Sequence, residues 1–179
     1  LIGLGLAIWT LIWTFVQQGT IPRRAIVMFT TWNMCLQIGC FAAMLLNLNA
    51  RRIGLMNHIT SIHTIIMAVM FWSIFLWDRE KILSRAAGVN FLLNHLQHSI
   101  PLLYCLLRTW HLPRLVAVGL SRYDCNLATC ALLMSYVALV VAVGVTTRFW
   151  AYAFLSLRST LALGLVGPAC VIAITSVIY

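Results

Sequence analysis

The chain has 179 residues, 63% hydrophobic and only 8% charged; soluble domains carry about 25% charged residues, so a water-soluble globule is excluded and an integral membrane protein is expected. Twelve basic residues against three acidic ones give a net charge of +9. The basic residues are spread thinly near the ends of apolar runs, which points to anionic lipid head groups as partners and away from nucleic acid.

Apolar runs broken by charged or turn-forming residues predict six spans: about Leu1–Val16, Ala25–Leu46, Ile59–Trp77, Phe91–Leu107, Leu127–Thr146 and Leu161–Ile178. Each approaches the roughly 20 residues that cross a hydrocarbon core as helix. Runs this long, without alternation, do not suit barrel strands. The expected architecture is all-α, a polytopic membrane protein with a six-transmembrane-helix bundle. Loops are short and no repeat is visible, so residues 1–179 are expected to form a single transmembrane domain. The first run has no basic leader, which argues for a span rather than a cleaved signal peptide. Leu1 opens inside a span and Tyr179 closes one, so native terminal tails are expected to be missing. Basic residues divide too evenly between alternate loops to set an orientation. Of the six cysteines, five lie in apolar runs and only Cys125 is near a loop, so no disulfide framework is evident.

Polar residues enter the second, third and fourth runs in patterns. In the second, Thr30, Asn33 and Gln37 are spaced i, i+3, i+7, one stripe of a helix. The third contains Trp72 and ends in Trp77-Asp78-Arg79-Glu80. Trp32 and Trp72 are placed to line or roof a cavity, and Asp78 falls within reach of its mouth. The fourth opens with the most polar stretch of the chain, Asn94-His95-Leu96-Gln97-His98-Ser99-Ile100-Pro101. Asn94, Gln97, His98 and Pro101 form one stripe, and His95 and Ser99 flank it at i, i+4. Pro101 removes a backbone hydrogen bond and loosens the helix around His98. An amide or hydroxyl without a partner in hydrocarbon costs roughly 2–7 kcal/mol. Ionisable groups within a span are functional candidates, although such stripes also serve as hydrogen-bond glue between helices. His58, His63 and His111 are expected to be interfacial or packing residues.

If all six runs cross, the second and fourth begin on the same side of the membrane. Thr30 and His98 each then lie on the order of 10 Å below that surface. An alcohol beside an imidazole supports nucleophilic catalysis at an ester: the histidine takes the hydroxyl proton, and the oxygen attacks the carbonyl. Asn33, Asn94 and Gln97 are candidate donors to the oxyanion. A site at this depth suits a lipid substrate. His95 and His98 are close enough for one metal, but no further ligand completes a sphere. His63 enters from the side opposite to His98, which disfavours a di-haem arrangement, and no metal or organic cofactor is expected. A non-catalytic protein that binds a lipid or a partner is the alternative, or a small-solute transporter, although a transporter would carry polar lining through its full thickness. Oligomeric state is left open.

At these residues the chain resembles the androgen-induced protein and androgen-dependent TFPI-regulating protein family, multi-pass membrane hydrolases of fatty acid esters of hydroxy fatty acids. The matching pieces are Phe29-Thr30 with Gln37, Phe71-Trp72 with Trp77-Asp78-Arg79-Glu80, and Leu93-Asn94-His95 through His98 and Pro101. Arg108-Thr109, His111 and Pro113 follow in order, and then Phe149-Trp150-Ala151-Tyr152-Ala153-Phe154. The short connection between the second and third runs, and Ala153 where a proline is usual, depart from the family's pattern. The resemblance implies a threonine nucleophile and a histidine base. They fall on Thr30 and His98, with Thr30 preferred over adjacent Thr31 because it shares a stripe with Asn33 and Gln37. His95, Trp72 and Asp78 join Asn33, Asn94 and Gln97 as substrate- or oxyanion-binding candidates. A branched fatty acid ester as substrate and an endomembrane or plasma-membrane location are likewise implied.

Overall fold

The computed structural model describes residues 2–17, 28–77, 91–111, 119–150 and 156–178, and every secondary-structure element among them is helical. Six helices appear in this set: α1 (Ile2–Gln17), α2 (Phe29–Leu45), α3 (Ala50–Trp77), α4 (Phe91–His111), α5 (Arg122–Thr147) and α6 (Leu157–Ile178). Three of them, α3, α5 and α6, are long and apolar enough to cross a membrane. α1 and α2 are apolar but shorter. The polar opening of α4 lowers its hydropathy, although its 21 residues suffice in length. Large apolar side chains such as Leu76, Leu165 and Val177 stand exposed on the outside of the bundle, as lipid-facing surfaces require. The chain is a membrane protein.

Several boundaries differ from those read off the sequence, among them the start of α3 and the end of α4. α3 starts at Ala50, well before Ile59, because Arg51 and Arg52 are carried exposed in its first turn. A charged residue ends an apolar run but need not end a helix. α4 likewise continues through Arg108 to His111. Between α2 and α3 the chain reverses in residues 46–49, with Asn47 at φ 50°, a left-handed conformation that asparagine tolerates.

α3 is the central element. It packs against α2, α4 and α5 and also touches α6, while α1 rests chiefly on α2. One apolar core joins Phe29 of α2, Ile62 and Met67 of α3, Leu133, Tyr136 and Val140 of α5, and Val171 of α6. This core covers one flank of α3. The other flank faces α2 and α4, and the polar residues collect there.

Candidate active site

The stripe predicted on α2 is buried: Thr30, Asn33 and Gln37 all turn inward. α3 meets it with a stripe of its own, Asn57, Thr60 and Thr64, at the same i, i+3, i+7 spacing and also buried. Gln37 Nε2 donates to Thr64 Oγ1 at 2.8 Å. The single proton of Thr64 serves Asn33 Oδ1 at 2.9 Å or the Thr60 carbonyl at 2.7 Å. When that proton points to Asn33, the carboxamide oxygen of that residue is occupied. Its Nδ2, on a residue with no exposed surface, has no hydrogen-bond partner. Asn33 and Gln37 tie helices together, and Asn33 still carries two unspent donor hydrogens.

On α4, His98 is buried and lies flat against Phe71 of α3, with centroids 3.6 Å apart and rings 8° from parallel. That stack fixes the imidazole plane. His98 Nδ1 is buried without a hydrogen-bond partner. His95 and Ser99 pair as their spacing suggested, Nδ1 to Oγ at 3.0 Å. Trp72 tilts over His95 at 5.2 Å and meets Phe75 edge-on, so it walls this end of the cluster. Gln97 is buried. Trp32 turns toward Tyr136 of α5. The Asn94 side chain and all of Asp78 lie outside the described residues. His58 and His63 are both buried, and His63 packs on Phe29.

α2 and α4 are neighbours. Phe41 of α2 meets Tyr104 of α4 edge to face at 5.9 Å, and the Arg108 guanidinium lies over the same Phe41 ring at 5.6 Å. Both helices run antiparallel to α3, α2 through Asn33–Thr64 and Leu36–Thr60 and α4 through His98–Phe71 and Cys105–Ser61. They therefore run parallel to each other, and that register sets Thr30 at about the level of His98, within roughly one 5.4 Å turn. Among the described residues no hydrogen bond joins the Thr30 hydroxyl to the His98 ring. Adjacent Thr31 holds its hydroxyl buried and unpartnered.

Arg108 was read from the sequence as a span-end residue. It is instead a helical residue of α4, 8% exposed, whose Nη1 donates to Gln37 Oε1 at 3.1 Å. The signal was present: Arg108 follows Pro101 by seven residues and so extends the polar stripe of Asn94, Gln97 and Pro101. Thr60 and Thr64 could have been found by the same periodicity. Among the described residues no group of three His, Cys, Asp or Glu side chains is placed to hold a metal ion.

A model of the FAR-17a/AIG1-like protein family matches residues 24–179, a stretch that contains Thr30, His98 and Arg108. No curated protein and no solved structure gives a significant match.

Proposed function

The chain belongs to the FAR-17a/AIG1-like protein family, and on that premise we propose that it is a membrane-embedded hydrolase of fatty acid esters of hydroxy fatty acids. Thr30 Oγ1 attacks the ester carbonyl and passes its proton to His98. The acyl group transfers to threonine, and His98 returns the proton to the departing hydroxy acid. Water activated by the same imidazole then releases the acyl chain.

The observation that carries this reading is the unspent amide of Asn33. A fully buried donor pair with no partner is costly in a protein interior. With the Thr64 proton on Asn33 Oδ1, these hydrogens, and not the oxygen, are available one turn from Thr30. An oxyanion formed at Thr30 would satisfy them. Thr30 also sits in the first turn of α2, where the helix dipole favours developing negative charge. Phe71 takes the place of a carboxylate in orienting the histidine. In this reading the threonine–histidine bond closes when substrate seats, since catalytic contacts are often long in a resting enzyme. All six helices cross the bilayer, in an endomembrane or the plasma membrane.

Thr30→Ala and His98→Ala are each expected to abolish ester turnover while the protein still inserts and folds. Activity retained in either variant removes the role given to that residue. The bonds from Asn33 and Gln37 to Thr64 favour a second reading, a non-catalytic lipid-binding bundle glued by amides. A fluorophosphonate probe separates the two: labelling that depends on Thr30 supports the enzyme, and absence of labelling supports the binder.

A further inference from the structure

Arg108 carries more donors than its surroundings use. Nη1 is spent on Gln37. Nε and Nη2 are buried and have no hydrogen-bond partner. These two nitrogens share one edge of the guanidinium and their N–H bonds point the same way. That edge is the fork that grips both oxygens of a carboxylate. Of the three acidic residues of the chain, only Asp124 is described. Among the described residues no acidic side chain pairs with Arg108. A buried cation with an open bidentate edge is expensive in a membrane interior unless an anion meets it.

The guanidinium stands beside a cleft. Gln37, its hydrogen-bond acceptor, and Phe41, the ring beneath it, both line a narrow opening between α1, α2 and α4, together with Thr10, Pro101 and Tyr104. Its volume of about 20 Å³ holds little more than one water molecule. α1 touches α4 only lightly, so this seam can part to admit an acyl chain. Thr30, Met34, Gln37 and Phe41 occupy one stripe of α2, which ties the cleft to the reaction centre. Thr30 and Gln37 are separated by about 10 Å along the helix axis, a gap that an extended acyl segment bridges.

We propose that Arg108 is the receptor for the free carboxylate of the lipid substrate, with the segment between carboxylate and ester lying along the α2–α4 seam. The identity of that lipid rests on the hydrolase reading; the carboxylate site itself rests on Arg108 and the cleft. The ester is thereby held at Thr30 from a distance, and esters without a free acid, such as triacylglycerols, lack the anchor.

Binding and turnover test this separately. The purified full chain in detergent micelles is titrated with the fluorescent C18 fatty acid cis-parinaric acid and with its methyl ester. Wild type is expected to bind the acid about tenfold or more tightly than the ester. The ratio falls toward one in Arg108→Gln and is partly kept in Arg108→Lys, which preserves charge but not the fork. Equal affinity of the wild type for acid and methyl ester overturns the proposal, and that comparison needs no variant to fold. In turnover, kcat/KM for a hydroxy fatty acid ester with a free carboxylate is compared with that for its methyl-blocked counterpart. Acid-selective binding without any ester cleavage keeps the Arg108 site and sinks the hydrolase reading. Cleavage of both substrates with no preference for the acid sinks the Arg108 site and keeps the hydrolase.

Discussion

The bundle has two halves that solve the same problem differently. In the α5–α6 pair, hydroxyls close on their own helix: Thr129 on the Cys125 carbonyl, Ser135 on Ala131, Thr146 on Ala142 and Ser176 on Ile172, all at 2.7–2.9 Å. The helices meet through small residues. A Cβ on Gly167 would lie 2.6 Å from Leu133 Cδ2, and one on Gly164 would lie 3.2 Å from Val137 Cγ1. Apart from the Thr175–Asn126 hydrogen bond at 2.8 Å, this contact is dry packing, as expected where lipid is as apolar as leucine. In the α2–α3–α4 half, polar side chains reach across helices instead, and several stop short of full satisfaction. Asn33 Nδ2, His98 Nδ1 and two nitrogens of Arg108 remain open. Among the described residues, the α5–α6 half leaves one buried hydroxyl open, that of Thr160, and the α2–α3–α4 half leaves open an amide, an imidazole nitrogen and a guanidinium edge. Under the proposed function, this stored hydrogen-bonding capacity is what a substrate would complete.

The comparison can be broken most severely at Asn33. Asn33→Ala is expected to lower kcat for the proposed ester substrate by about 10²- to 10³-fold, the usual cost of one oxyanion donor, with a much smaller change in KM. A pure loss of thermal stability with kcat intact would return Asn33 to the role of glue and make the two halves alike. A second test addresses the dry half. Gly167→Leu is expected to overpack against Leu133 and to cost about 1–3 kcal/mol of stability, read as a fall in melting temperature, while kcat of the protein that remains folded is preserved. The smallest effect is expected at Thr64→Val. It removes the bridge between α2 and α3 for roughly 0.6 kcal/mol, typical of hydrogen bonds between membrane helices. It also frees the Asn33 carboxamide to rotate, so a drop in kcat larger than the drop in stability would sharpen the distinction.

Much of the scaffold was legible. Apolar runs located the six helices of the described residues to within a turn or two, except at the start of α3, where Arg51 and Arg52 interrupted the run but not the helix. Helical spacing likewise brought out the Thr30–Asn33–Gln37 stripe and the His95–Ser99 pair, because both depend only on residues a turn or two apart. Thr60 and Thr64 escaped notice because threonine in a membrane helix commonly bonds its own backbone, as both do here. Only the approach of α2 showed that they also serve a neighbour. Arg108 escaped because a cation near the end of an apolar run resembles an interfacial anchor, and its inward turn depends on Gln37, 71 residues earlier in the chain.

By itself, then, the sequence determined that this is a helical membrane protein, which residues share a helical face, and that polar groups concentrate in the second, third and fourth helices. Those properties follow from composition and from a 3.6-residue period, both local. Tertiary structure alone decided that Thr64 faces Asn33, that His98 lies on Phe71, and that Arg108 turns toward Gln37 with one edge free. Each is a contact between segments distant in the chain, set by how whole helices pack, and packing chooses which donors are consumed and which are left for a ligand.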